Sequence, residues 1–118
     1  MDDKIREEVT RLHAQVCSGL ADTNRILMIY CLAESPCSVN EIAKKLDLPQ
    51  PTVSRHLKIL RDRGIVSAER DAQNVIYKIV DERFIQALDL LRACLADSLT
   101  TQAALMQSAA SEAINKVI

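Results

Sequence analysis

Residues 50–60 read Gln50-Pro51-Thr52-Val53-Ser54-Arg55-His56-Leu57-Lys58-Ile59-Leu60, and Gly64 follows. Pro51 suits the first position of a helix, where its missing N–H would have had no partner. Val53, Leu57 and Leu60, with Ile59, line an apolar face, and Gly64 closes the helix as a C′ residue. The other face presents Thr52, Ser54, Arg55, Lys58 and Arg61, with Gln50 just ahead of it and His56 at its edge.

Working upstream, Ser38-Val39-Asn40-Glu41 fits the S-x-x-E capping box and starts a helix at about Val39. That helix buries Val39, Ile42, Ala43 and Leu46, exposes Lys44 and Lys45, and stops near Asp47-Leu48-Pro49. Asp22-Thr23-Asn24 opens a shorter, mostly buried helix that ends before Pro36, because the residue ahead of a proline avoids helical backbone. Residues 3–21 carry Ile5, Val9, Leu12, Val16 and Leu20 at steps of three and four, an amphipathic first helix.

Downstream the period changes. Ile65, Val66 and Ala68 lead through Glu69-Arg70-Asp71-Ala72-Gln73-Asn74 to Val75, Tyr77 and Val80, which reads as a β-hairpin. Asp81 then caps a last helical stretch with apolar positions from Phe84, Leu88, Leu91, Leu95 and Leu99 through Ala103, Met106, Ala110 and Ala113 to Val117. One helix, or two broken near residues 98–101, both fit this pattern. Two short helices joined by a turn and followed by a hairpin are the order of a winged helix-turn-helix, a mainly α domain with a small β-hairpin wing.

Composition agrees. The 118 residues are 48% apolar with two Gly and three Pro, so few tight turns exist and most of the chain is helical. No apolar run approaches the roughly 20 residues that span a bilayer. No leader with basic, apolar and cleavage regions opens the chain, so a single cytoplasmic domain with no membrane partner is expected. The formal net charge of −1 conceals a division: residues 1–22 carry −2, residues 23–80 carry +3 and residues 81–118 carry −2. The basic excess is densest in residues 51–70, with Arg55, Lys58, Arg61, Arg63 and Arg70, a segment able to face a polyanion.

The chemistry of the exposed face suits double-stranded DNA. Short hydroxyls near the helix start allow close approach to phosphates and base edges, Arg bonds guanine in two places and Gln bonds adenine likewise. Gln50, Thr52, Ser54, Arg55, His56 and Lys58 are therefore candidate DNA-binding residues, with Arg70, Gln73 and Asn74 at the hairpin tip reaching an adjacent minor groove or phosphate. A single short recognition helix makes few contacts, so a two-fold dimer on a palindromic site is expected. The long apolar stripe after Phe84 also asks for a partner surface. An enzyme finds no support: no Gly-rich phosphate loop is present, and His13 and His56 are the only histidines.

The runs Leu20-Ala21-Asp22-Thr23-Asn24-Arg25-Ile26-Leu27, Ser38-Val39-Asn40-Glu41-Ile42-Ala43, residues 50–60 and Gly64-Ile65-Val66 strongly resemble the ArsR/SmtB family of sensor repressors. The resemblance spans about residues 12–95 and is most specific over residues 50–60. It implies a homodimer joined through the first and last helices, here residues 1–21 and 81–118. It assigns the helix-turn-helix to residues 38–64 and the wing to residues 65–80. It further implies an operator-bound repressor released by an effector.

Three of the family's sensing patterns do not match. The arsenic type carries C-x-C-x-x-C at the third helix, where residues 38–43 hold no cysteine; the zinc type needs histidines on the last helix. In the persulfide type the first thiol aligns with Tyr30, one residue from Cys31. What remains is Cys17, Cys31, Cys37 and Cys94, with no C-x-x-C pair. Cys31, on a buried helix, reads as a small core hydrophobe. Cys37, just ahead of a helix amino end, reads as a loop thiol or as one activated by the dipole. Cys17 and Cys94, on the first and last helices, read as interface packing or as thiols that meet. The effector expected at Cys17, Cys37 and Cys94 is a thiol-reactive sulfur species or oxidant, or a soft metal or metalloid ion held by thiolates. The alternative is a winged-helix regulator answering a non-thiol ligand or a protein partner.

Overall fold

A computed structural model describes the backbone of residues 1–117 and the side chains of residues 1–114. The side chain of Val117, the last apolar position of the stripe, and residue 118, the expected end of the domain, lie outside the described residues. Two compact units are present, residues 1–85 and the stretch from Gln86 onward.

In the first unit, α1 (Asp3–Leu12) starts from Asp2, whose carboxylate accepts from the Lys4 N–H at 3.0 Å. The expected helix over 3–21 is helical from Asp3 to Leu20, but it contains a π-helical turn at His13–Cys17 before α2 (Ser18–Leu20). The cause is a side chain entering the ladder. The Arg63 guanidinium donates to the Ala14 and Gln15 carbonyls and to Ser18 Oγ, and Gln15 Nε2 answers by donating to the Arg63 carbonyl at 3.2 Å. Ile5, Val9 and Leu12 stay about half exposed, so the apolar stripe of α1 is uncovered.

Asp22 caps α3 (Thr23–Glu34) by accepting from the N–H groups of Asn24 and Arg25. Met28, Ile29 and Leu32 from this helix fill the centre of the unit. The Ser38 capping box is complete: Ser38 Oγ accepts from Glu41 N–H at 3.3 Å, and Glu41 Oε1 from Ser38 N–H at 3.1 Å. It starts α4 (Val39–Leu46), which Asp47 ends in the left-handed region. The next helix, α5 (Gln50–Asp62), begins one residue earlier than Pro51 alone suggests, with Pro49 as its N-cap. Gly64 ends it at φ +74°; its N–H bonds the Arg61 carbonyl and that of Ile65 bonds Leu60, a full Schellman motif.

Val53, Leu57 and Leu60 meet Ile42 and Ile65 in the core, all fully buried. The strands pair closer to the hairpin tip than the sequence suggests. β1 (Val66–Asp71) and β2 (Asn74–Ile79) pair from Val66 opposite Ile79 to Asp71 opposite Asn74, leaving a two-residue loop of Ala72 and Gln73. A third short segment joins the far edge of β2: Cys37 N–H donates to the Tyr77 carbonyl at 3.0 Å, and Tyr77 N–H to the Cys37 carbonyl at 2.8 Å.

Asp81 accepts from the Arg83 N–H at 2.9 Å ahead of α6 (Arg83–Val117), a single helix with no break near residues 98–101. Within the second unit Leu91, Leu95, Leu99 and Met106 are mostly exposed along it. No helix among the described residues is long and apolar enough to cross a membrane.

Candidate nucleic-acid interface

Burying Val53, Leu57 and Leu60 turns the rest of α5 outward, so periodicity alone aims Gln50, Ser54, Arg55, Lys58 and Arg61 at solvent. Thr52 is half-buried at the base of this face. Pro49 makes no side-chain cap, which leaves the first N–H groups of α5 directed toward whatever meets the helix start. Lys58 Nζ bonds Asp62 Oδ2 at 3.0 Å, but both side chains are well exposed. Such pairs contribute about 0–1 kcal/mol, so Lys58 remains available to a phosphate. Arg70, Gln73 and Asn74 are exposed at or beside the hairpin tip, where Ala72 adopts φ +56° to close the loop.

Two basic residues counted toward this face point elsewhere. His56, expected at the DNA, is only 7% exposed. Its Nδ1 meets Arg25 Nη1 at 3.2 Å and its Nε2 lies 4.0 Å from Asp22 Oδ1. On the helical wheel His56 falls beside Leu60, four residues on, and Val53, three back, and the apolar face is wide enough to take it in. Arg63, counted in the basic excess, is spent on the carbonyls of the π-helical turn. The basic face is therefore narrower than the count of charges suggests, and it is centred on Arg55, Lys58 and Arg61.

Arg25 itself carried no expectation. It donates through Nε to the Gly19 carbonyl at 2.7 Å and through Nη2 to the Ser18 carbonyl at 3.3 Å, besides meeting His56. It thereby satisfies carbonyls at the end of α2 and ties them to α5. Burial works against the Asp22 charge, yet the N–H groups of Arg25 and Asn24 and the nearby His56 hold its carboxyl below the usual range.

The cysteines divide in two. Cys17 in the π-helical turn and Cys94 on α6 are exposed free thiols, each in its own unit. Cys31 and Cys37 are buried free thiols, and they come together. Cys37, read as a loop thiol or as one activated by the dipole, is fully buried, and its backbone pairs with β2. Lys45 is exposed as expected, and its ammonium also comes within 3.6 Å of Cys37 Sγ. Among the described residues no group of three or more His, Cys, Asp or Glu side chains is placed to hold a metal ion. Two sulfurs with an ammonium against one of them place a positive charge where a metal cation would sit, so this pair does not fit a metal.

Residues 22–68 match the family model described as bacterial regulatory protein, arsR family. The HTH-type transcriptional repressor SmtB of Mycobacterium tuberculosis is 38% identical over 74 residues, 63% of this chain and 55% of that protein. The HTH-type transcriptional regulator MJ1325 of Methanocaldococcus jannaschii is 38% identical over 80 residues, 66% of this chain and 89% of that protein. The crystal structure of M. tuberculosis Rv0081 superposes with a TM-score of 0.73 at 30% identity, covering 80% of this chain and 96% of that one. The chain spans under two thirds of the length of several of the curated relatives it matches.

Proposed function

Because this chain belongs to the ArsR/SmtB family of winged helix-turn-helix transcriptional regulators, we propose that it is a sequence-specific, homodimeric DNA-binding repressor whose effector acts through cysteine thiols. Family and fold are those of regulators rather than enzymes.

The observation that carries the DNA reading is the outer face of α5, where Gln50, Ser54, Arg55, Lys58 and Arg61 are all exposed on one helix beside a wing. In this reading α5 enters the major groove, Gln50, Thr52, Ser54 and Arg55 meet base edges and nearby phosphates, and Lys58 neutralises a backbone phosphate. Arg70, Gln73 and Asn74 extend the contact from the wing tip. The exposed apolar rows of α1 and of α6 support dimerisation, since each is a face that burial against a second chain would stabilise. Operator duplex is the macromolecular partner.

For the effector, the chain supplies exposed Cys17 and Cys94 and the buried Cys37, with Lys45 against the last. Absence of a three-ligand cluster within the described chain favours the thiol-reactive arm of the expectation over a soft metal or metalloid ion.

Selection of bound duplexes from a random pool, followed by binding at several salt concentrations, tests the reading. Recovery of a palindromic consensus is expected, with log affinity falling in proportion to log salt at about −0.9 per phosphate contacted. A flat salt dependence, or no enrichment of any sequence, would overturn it.

A further inference from the structure

Cys31 and Cys37 stand on either side of the turn made by Ser35 and Pro36, and polar groups converge on one of the two sulfurs. Cys37 Sγ receives the Lys45 ammonium at 3.6 Å, lies 4.0 Å from Ser35 Oγ, and sits 3.3 Å from the Ser35 carbonyl that accepts its thiol hydrogen. Cys31 lies beside it, and Cys37 is among the groups that push the Cys31 thiol up. Glu34, Ser35 and Pro36, which link the two cysteines, are exposed.

We propose that Cys31 and Cys37 are a dithiol which a small hydroperoxide, hydrogen peroxide, closes to an intrachain disulfide, and that this closure weakens DNA binding. The proposal rests on the regulator reading and names the modified pair within it.

The step balances as follows. Cys37, as the thiolate beside Lys45, attacks one peroxide oxygen; the O–O bond breaks and hydroxide leaves, taking up the proton Cys37 gave, as water. Cys31 then attacks the sulfenic sulfur of Cys37; the S–O bond breaks, and the second hydroxide takes the Cys31 proton and leaves as water. Each sulfur is oxidised by one electron and the peroxide is reduced by two. The division of roles follows from the surroundings. Burial, and then the neighbouring Cys37, push the Cys31 thiol up, so Cys31 is the sulfur that keeps its proton until the second step. Lys45 is pushed up in turn, chiefly by Cys37.

Closure draws the sulfurs to about 2.05 Å. The backbone of Cys37 is bonded in both directions to Tyr77 of β2, so a shift that closure imposes on it is passed to the wing. The next residue, Ser38, is the cap of α4. One covalent contraction therefore pulls on the wing and on the entry to the helix-turn-helix together.

The test uses the full chain, reduced, with a duplex selected as above. After exposure to hydrogen peroxide, free thiols are blocked with N-ethylmaleimide and the protein is digested with trypsin. Cys31 and Cys37 fall within one peptide, residues 26–44, which has no internal Lys or Arg. The expected result is that this peptide appears unalkylated and lighter by two hydrogens in step with a loss of duplex affinity of about tenfold. Dithiothreitol restores both. Cys31→Ser keeps its duplex in peroxide. Lys45→Met slows closure. Complete release with both thiols of the peptide alkylated would overturn the proposal, as would unchanged release from Cys31→Ser. Should that variant fold poorly, peptide mapping of the parent chain decides alone. If the reduced chain binds no duplex at any salt, the regulator reading fails, while the mapping still decides the dithiol.

Discussion

His56→Ala and Arg55→Ala change neighbouring residues of α5 and should act on different quantities. The His56 ring is almost fully buried, and its Nδ1 takes a hydrogen bond from Arg25 at 3.2 Å, which places the ring proton on Nε2, facing Asp22. Removing a buried ring costs about 3 kcal/mol, by analogy with aromatic truncations. Losing the bond to a guanidinium adds up to about 1.5 kcal/mol, since Arg25 keeps its bonds to Ser18 and Gly19. The expected total of about 3–4 kcal/mol is a large share of the 5–15 kcal/mol typical of a domain. Urea unfolding without DNA should show the midpoint falling with the slope unchanged. Arg55→Ala, on an exposed side chain, should shift stability by no more than about 0.5 kcal/mol. Instead it should weaken duplex binding by about 1–3 kcal/mol. If His56→Ala unfolds at the parental urea concentration yet loses duplex affinity like Arg55→Ala, the burial argument fails and His56 belongs at the DNA.

Gly64→Ala forces a side chain into φ +74° where there is otherwise room, so thermal unfolding should show a loss of about 1 kcal/mol arising from backbone strain. Ser38→Ala removes half of the capping box and should cost about 1 kcal/mol by urea unfolding. Glu41 is held low by the Ser38 backbone and side chain, and Asp81 is held down at about 2 by the Arg83 side chain and backbone. Depressed carboxylates contribute stability that is full above their unfolded values near pH 4 and is lost as pH falls through the folded ones. Urea midpoints should therefore decline between about pH 4.5 and 2, and Asp81→Asn should flatten the lower end of that decline.

The elements whose signals are local were readable from residue order. The capping box at Ser38, the cap at Asp22 and the closing Gly64 each act within one helical turn, and each stands where its residue types require. The hairpin was legible as a hairpin but its loop was not legible as two residues, because Ala72 at φ +56° gives none of the Gly or Asn signal that marks such a loop. His56 was misplaced because a helical wheel puts it at the boundary of two faces, and only Arg25, 31 residues upstream, decides which face receives it. The π-helical turn was invisible for a similar reason: it depends on Arg63, from a different helix. The Cys31 and Cys37 contact has a partial local signal in the intervening Ser35-Pro36 turn. Burial of the second thiol, however, requires pairing with Tyr77, 40 positions on.

Arg25 and Arg63 together have a mechanical consequence. One guanidinium joins the carbonyls of Ser18 and Gly19 to α5 near its middle, and the other joins Ala14, Gln15 and Ser18 to the residue that ends α5. Two crossties at separate heights stop rotation as well as translation, so residues 14–20 and α5 should open as one cooperative block. In hydrogen exchange their amides would then share a common opening free energy, and Arg63→Met would split that block into two protection classes.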